Sequence, residues 1–512
     1  MIGRVGTWLV AAALLVGGGV AARAQDPTRV VIRRAEIEAA GWVNVGEMLG
    51  GATGWQRTTL DAVSFFATTD GLPPGATAPG EPSWVLLIDG QRIAADVLGT
   101  KLLELVPLSP AQVESITVTR VPRLVAGTIA GRGVIEFHTR RPARGPSASG
   151  GLHSGNIIGD PGPYEFTPLK RPNVDRLGPY ETVQAGLGGA GWDAFASTRS
   201  GSSHITHHGI RERFDSTLFE QLGEHKWAVY KDVAARAGGM LLGGRQDIIA
   251  GRSWVHGPLF LPSVGSEQWL VGKFEHVGGS GSIGEAAGTR LGYQLTHTSL
   301  DVREEPSPFP FVAGHSRTRD GAVLELDLGG GDGWRARLGG AAVRWRMGRQ
   351  GAEASRTDGT LFGAVEGSAG RAGGELSGAL VQADGGPLSA KGVLAARLAT
   401  DSRTTVSAAV SYVQHTTGED GTWIDRVILG LDTLRRERDA RAWLDGGVAR
   451  MLRRGWTADL GARVGRVTNL RLLALDGTPS APLDAGLGEV RAGLNGPLAP
   501  HPLDALRAAR RA

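Results

Sequence analysis

The sequence predicts a mainly β protein, in which a small α+β domain is followed by a long antiparallel region of short strands. From about residue 143 apolar and polar side chains alternate with period two, the signature of strands with two unlike faces. Glycine contributes 79 of the 512 residues, roughly twice the usual share of about 7%. No apolar run reaches the ~20 residues that a membrane-crossing helix needs, so strands carry whatever the chain buries or inserts.

Residues 1–24 read as an export signal, with Arg4 at its basic start, an apolar segment from Trp8 to Val20, and a small-x-small cleavage site at Ala22-Arg23-Ala24. The compact mixed segment follows, over 25–142. Val30 to Ile32 is a short strand and Ala35 to Ala40 a helix, and Asn44 with Glu47 forms a capping box for a second short helix carrying Met48 and Leu49. Prolines and glycines between Pro73 and Pro82 make a loop. The buried-type run Trp84 to Ile88 then meets Asp89-Gly90, the strongest hairpin signal in the chain, because both central residues of a type I′ turn need positive φ. Leu102 to Val106 reads as a brief helix or turn, Val113 to Val118 as a strand, and Gly133 to Arg140 as the strand that closes the segment.

Beyond residue 143 the alternation is explicit. Ala322, Leu324, Leu326 and Leu328 share one face while Glu325 and Asp327 take the other; Val406, Val410 and Tyr412 oppose Thr405, Ser407 and Ser411. This suits a barrel with lipid outside and polar groups inside, and equally a soluble sandwich with its apolar face inward. About sixteen such segments occur at hairpin spacing. The intervals Thr198–Lys231 and Arg303–Asp320 read as surface loops, and Trp192, Trp254, Trp269, Trp334, Trp345, Trp443 and Trp456 as an interfacial girdle. Residues 143–500 thus form the strand region and 501–512 a basic tail.

The absence of cysteine removes disulfides and thiolate metal sites, and a formal charge of +4 makes no case for nucleic acid. No catalytic motif is present, so no enzyme and no cofactor is expected. Gly279-Ser280-Gly281-Ser282-Ile283-Gly284 has the letters of a dinucleotide loop but lacks the βαβ context, and reads as a hairpin connection. His204, His207 and His208 form a dense imidazole group on a polar stretch; imidazole suits transition metals, but the spacing matches no structural metal pattern, and a solvated loop that could contact ligand is the reading.

The order of motifs in 28–142 resembles the plug domain of TonB-dependent outer-membrane receptors. It runs through the strand ending in Asp89-Gly90, Val106-Pro107, the strand Val113 to Val118, Arg120 and Pro122, and a small-residue turn with Gly131 into Gly133-Val134-Ile135 and Phe137 to Arg140. Two positions depart from the family's pattern: Val121 stands where Arg-Gly-Pro is usual, and Glu136 where the closing strand usually carries Asn. The resemblance implies a plug inside an antiparallel transmembrane β-barrel, a location in the outer membrane among its lipids, uptake of a scarce small solute (siderophore, cobalamin or oligomer), and coupling to a TonB-type energy-transducing complex. It gives Asp89, Gly90, Arg120, Pro122, Gly131 and Gly133 structural or gating roles; Arg120 reads either as the partner of a carboxylate on the inner wall or as a solvated strand-end arginine. The last residue is not the aromatic strand end usual in such barrels, and a lumen that holds a folded plug corresponds to about 22 strands rather than sixteen. The sequence therefore leads to the expectation of a truncated or divergent barrel. The other reading is a non-transporting exported β-rich binding protein or receptor remnant.

Overall fold

The computed structural model describes residues 29–40, 45, 48, 57–60, 63–66, 84–94, 96–97, 100–102, 106–119, 121–131, 133–153, 180–206, 225–261, 266–284, 288–305, 315–329, 333–349, 352–383, 386, 388–416, 438–452, 456–470, 481 and 483–495. The expected export signal, the Asn44–Glu47 capping box, Arg120 and the basic tail lie outside the described residues.

The N-terminal segment is built from β1 (Arg29–Arg33), α1 (Arg34–Ala40), β2 (Arg57–Leu60), β3 (Val63–Phe66), β4 (Trp84–Ile88), β5 (Gln91–Ile93), β6 (Asp96–Val97), β7 (Thr100–Leu102), β8 (Val113–Thr119), β9 (Arg123–Val125), β10 (Thr128–Ala130) and β11 (Gly133–Thr139). Leu102 ends a strand rather than opening a helix, a correction to the sequence reading. The central sheet has the order β1-β8-β11-β4-β5, with β11 parallel to β4 and antiparallel to β8. All five residues of β4 are buried because both of its faces are covered, which is why it reads as a continuous apolar run. Ile88, Ile116, Val118, Ile135 and Phe137 form its core, and Glu36 accepts from the Arg33 N–H at the start of α1 (2.7 Å).

Gly133 opens β11 where two chains press together. A Cβ there would collide with the Thr119 carbonyl and lie 2.7 Å from the Trp84 ring. Gly133→Ala is expected to destabilise this domain by about 1–3 kcal/mol through overpacking, read as earlier proteolysis of the domain in a urea series; wild-type resistance would refute this account of the glycine.

The remainder is one 16-stranded antiparallel sheet in strict sequence order. Its strands are β12 (Gly145–His153), β13 (Tyr180–Gly188), β14 (Trp192–Thr206), β15 (His225–Leu241), β16 (Gly244–Leu261), β17 (Ser266–Ile283), β18 (Thr289–Glu305), β19 (His315–Gly329), β20 (Trp334–Arg349), β21 (Ala352–Ala369), β22 (Ala372–Ala383), β23 (Leu388–Ala399), β24 (Thr404–Thr416), β25 (Arg438–Met451), β26 (Thr457–Leu470) and β27 (Leu483–Asn495). Strands β14, β15, β18 and β19 extend well into the two intervals read as loops, and β17 runs on to Ile283, so the glycine-rich stretch is mostly strand.

The outward side chains are apolar: Val183, Val233, Ile248, Leu295, Leu324, Leu338, Leu361, Leu376, Leu444, Leu460 and Val464 are all exposed. Inward positions are polar and buried, among them Arg199, Asp232, Arg236, Thr298, Arg319, Asp358, Ser411 and Arg463. This inverts the arrangement of a soluble sandwich and matches a barrel facing lipid. Connections at one rim are two to five residues long (189–191, 242–243, 284–288, 330–333, 370–371, 400–403 and 452–456). Those at the other rim include 154–179, 207–224, 417–437 and 471–482. In the short connection 400–403 the Arg403 and Thr404 N–H groups donate to Asp401, holding its carboxyl below the usual range.

Of the tryptophans read as a girdle, Trp192, Trp334 and Trp456 are exposed beside short connections, where amphipathic rings suit a lipid boundary. Trp345 and Trp443 are buried on the inward face instead, under guanidinium groups: Arg317 lies 4.4 Å from the Trp345 ring centre and Arg463 4.2 Å from that of Trp443. Among the described residues no pairing joins β12 to β27. Among them, too, no helix is long and apolar enough to cross a membrane, which says nothing of strands.

Candidate functional site

The sheet curls around the N-terminal domain, which touches it from β14 (Gln112 Nε2 donating to Ser197 Oγ) round to β26 (Arg463 Nη2 donating to the Gly131 carbonyl, 2.9 Å). Both sides of this interface are packed with apolar side chains, and one of them also buries an ion cluster.

Toward β19–β24 the contact is greasy. The β9–β10 hairpin carries Leu124 and Ile129 into Phe362, Ala364, Ala379, Val393 and Val413 on the wall. Its tip turns at Ala126 and Gly127, both at positive φ, and Gly127 sits so close to the wall that a Cβ would fall 2.7 Å from that of Ala341. Arg123 lies 3.8 Å from Glu375 beside it.

Toward β14–β18 the wall residues Ile249, Val255, Phe274 and Leu300 join the apolar core of the N-terminal domain, and beside them lies a buried ion cluster. Asp89 and Gly90, at φ 46° and 80°, make the tight β4–β5 turn, and the geometry aims the Asp89 carboxylate at the wall. Arg236 of β15 meets it with Nε at 3.1 Å, donates from Nη1 to Asp193 (3.1 Å) and from Nη2 to Asp247 (2.7 Å). Arg245 bridges the same two wall carboxylates, with Nε 3.0 Å from Asp247 and Nη2 on Asp193. Asp89 also accepts from the Thr139 N–H (2.9 Å) and from the Thr139 hydroxyl, which ties the turn to the end of β11. Around it, Gln294 donates to the Gly90 carbonyl (2.6 Å) and Gln91 to Ser280 Oγ (3.1 Å). Arg236 has only 3% of its side chain exposed and Asp89 8%, so these charges are stabilised by one another rather than by water.

The cluster holds three carboxylates and two guanidinium groups, and Arg236 alone touches all three acids. It can therefore act as a fastening between two bodies. Among the described residues no group of three or more His, Asp or Glu is arranged to hold a metal.

The architecture has solved counterparts. The siderophore receptor PirA from Pseudomonas aeruginosa superposes with TM-score 0.63 at 13% identity, over 93% of this chain and 83% of that one. The copper transporter OprC gives 0.68 at 12% identity, over 93% and 79%. The FrpB iron transporter from Neisseria meningitidis gives 0.65 at 9% identity, over 93% and 81%. This chain has the fold of the TonB-dependent receptors. No protein-family model and no curated protein sequence matches it.

Residues 29–139 lie against the inner face of the sheet β12–β27. Of the plug residues singled out in the sequence, Asp89 and Gly90 form the turn that enters the ion cluster, Pro122 is buried ahead of β9, Gly131 accepts from Arg463, and Gly133 allows the close approach of β8 and β11. His204 lies in β14, in register with Trp227, while His207 and His208 are outside the described residues. Arg120, expected to pair with a carboxylate of the wall, lies outside the described residues; in the ion cluster the N-terminal domain supplies the acid, Asp89, and the wall the arginine, while at Arg123 and Glu375 the roles are reversed. Arg236, Asp193, Asp247 and Arg245 went unnoticed. The available signal was parity: Asp232, Ala234 and Arg236 alternate with the outward Val233, Ala235 and Ala237, which puts both charges on the inward face.

Proposed function

We propose that this chain is an outer-membrane receptor that takes up a scarce small solute by displacing its plug. The observation that carries this reading is the buried ion cluster across the plug–barrel interface, at Asp89 and Arg236, in a sheet whose outer face is apolar. Bacterial barrels put short turns on the periplasmic side and long loops outside. Asp193 and Asp247 lie near the short connections 189–191 and 242–243, so the fastening sits on the side from which an inner-membrane TonB-type complex would pull. Each of its contacts has a counterpart in hydration, which lets mechanical work exchange them for water. Siderophores, iron and copper are the solutes of the similar structures, and the class taken by this chain rests open between them and cobalamin or oligomers.

A cross-link tests displacement directly, because the chain has no cysteine to interfere. Gln112→Cys with Ser197→Cys joins plug to wall at an existing contact. In planar bilayers, urea is expected to raise ion conductance of the reduced protein by melting the plug, and oxidation is expected to abolish that rise. Equal conductance in both states would contradict a displaceable plug.

Among the described residues β12 and β27 each have one edge without a partner strand, which favours the second reading, a non-transporting exported binding protein, because exposed backbone donors and acceptors are not tolerated in hydrocarbon. Carbonate-resistant outer-membrane association supports the receptor; release with soluble periplasm supports the alternative.

A further inference from the structure

Resting on the membrane reading, a second site lies on the outer face of the barrel. Along β17–β20 the outward residues change character at one level. Counting from the short connections, Ile283, Leu291, Leu295, Leu324, Leu326 and Leu338 fill the lower positions. Above them on the same strands come Glu275, His297, Asp320, Arg344 and Arg346. Roughly 8 residues at the usual strand rise and tilt climb about 20 Å, close to the ~25 Å apolar band of such barrels, so these charges stand at the lipid headgroups and not in the hydrocarbon.

At that border the wall is notched. A cavity of about 520 Å³ opens over Ala322 and Ala342, walled by Val277 and Leu295 and topped by His297, Asp320 and Arg344. Gly279, which lines it, and Gly359, registered beside Ala342, have open space where a side chain would stand. The charges above are unequally matched. Asp320 accepts from Arg346 (3.2 Å) and lies 2.7 Å from His297 Nδ1, and Arg252 is 3.0 Å from Glu275. Arg344, in register with Asp320 on one side and Thr357 on the other, has no acid partner among the described residues.

We propose that this notch is a binding site for a phosphate-bearing anionic lipid of the leaflet on the long-connection side. The Arg344 guanidinium takes the phosphate, and the alanine and glycine floor receives the start of an acyl chain that a larger side chain would displace. An uncompensated cation at the headgroup level attracts phosphate rather than the neutral hydrocarbon below, and a guanidinium binds it through paired N–H donors. A zwitterionic lipid offers the same phosphate, but with a cation attached that Arg344 and Arg346 repel.

The test uses the full-length protein in neutral detergent, titrated in native mass spectrometry with phosphatidylglycerol and with phosphatidylcholine of identical chains. Wild type is expected to favour phosphatidylglycerol roughly ten-fold, the effect of one charge-assisted contact. Arg344→Glu is expected to erase the preference, and Ala342→Leu to weaken both lipids by filling the floor. Equal affinity of wild type for the two lipids, or an unchanged preference in Arg344→Glu, overturns the site. Inorganic phosphate at millimolar concentration should not compete, and if it does, Arg344 is an anion site without a lipid. Heat-modifiable migration of the same samples reports separately on whether the barrel forms, so loss of the lipid site and loss of the membrane reading give different results.

Discussion

Replacing Arg236 with methionine is expected to loosen the plug by about 3–5 kcal/mol, the cost of stranding buried charge after one partner is removed. The arithmetic of the cluster explains why this residue dominates. Asp89, Asp193 and Asp247 share two guanidinium groups, and without Arg236 the pair Asp193 and Asp247 would share Arg245 while Asp89 would lose the guanidinium it meets in this cluster. Asp89→Ala removes the odd acid instead and leaves two arginines with two aspartates. Its cost is the Thr139 N–H and hydroxyl that lose their acceptor, about 1–3 kcal/mol. Arg236→Lys keeps the charge but cannot reach three acids with one ammonium, so it should fall between them. The measurement is the urea concentration at which the plug becomes susceptible to protease while the barrel stays folded. Ranking Arg236→Met no worse than Asp89→Ala would show that the cluster does not fasten the plug.

Much of this was legible in the residues, and what was not has physical reasons. The rows Leu324–Leu328 and Val406–Tyr412 alternate cleanly because the sheet has an apolar outer face and a polar inner one, and those rows are outward in the structure. Strand ends were harder. Over 198–206 and 315–320 the residue types of both parities are largely polar and the alternation fades, so these stretches looked like loops though β14 and β19 contain them. Trp345 and Trp443 were misread for a related cause, since a tryptophan near a strand end signals an interface only if its parity is outward. The partner of Asp89 could not be read at all. Its turn chemistry explains the residue without a partner, and Arg236 stands far along the chain in a strand whose pairing says nothing of what lies inside.

The strand number also acquires a physical meaning. About sixteen segments were countable in the sequence, and among the described residues sixteen strands form the sheet. A plug-sized lumen corresponds to about 22 strands, so sixteen wrapped around a plug should fall short of meeting. Among the described residues β12 and β27 do not pair, and a barrel in hydrocarbon would have to satisfy those two edges.

Leu324→Arg is expected to cost about 2–4 kcal/mol if this surface lies in a bilayer, and that number separates the two functional readings. Leu324 is 59% exposed, registered between Tyr293 and Gly340, and sits near the middle of the apolar stretch on β19. In water, an exposed leucine exchanged for arginine away from any special feature changes stability by about ±0.5 kcal/mol or less. Leu328, on the same face but beside the connection 330–333, supplies an internal control: at the interface Leu328→Arg should cost no more than about 1 kcal/mol. A receptor in the membrane therefore shows a depth gradient, with outer-membrane yield and heat-modifiable migration failing for Leu324→Arg and surviving for Leu328→Arg. A soluble protein shows none, because water is the same at both positions. Equal yields of the two variants would remove the lipid from around this sheet, and with it the reason for its outward leucines.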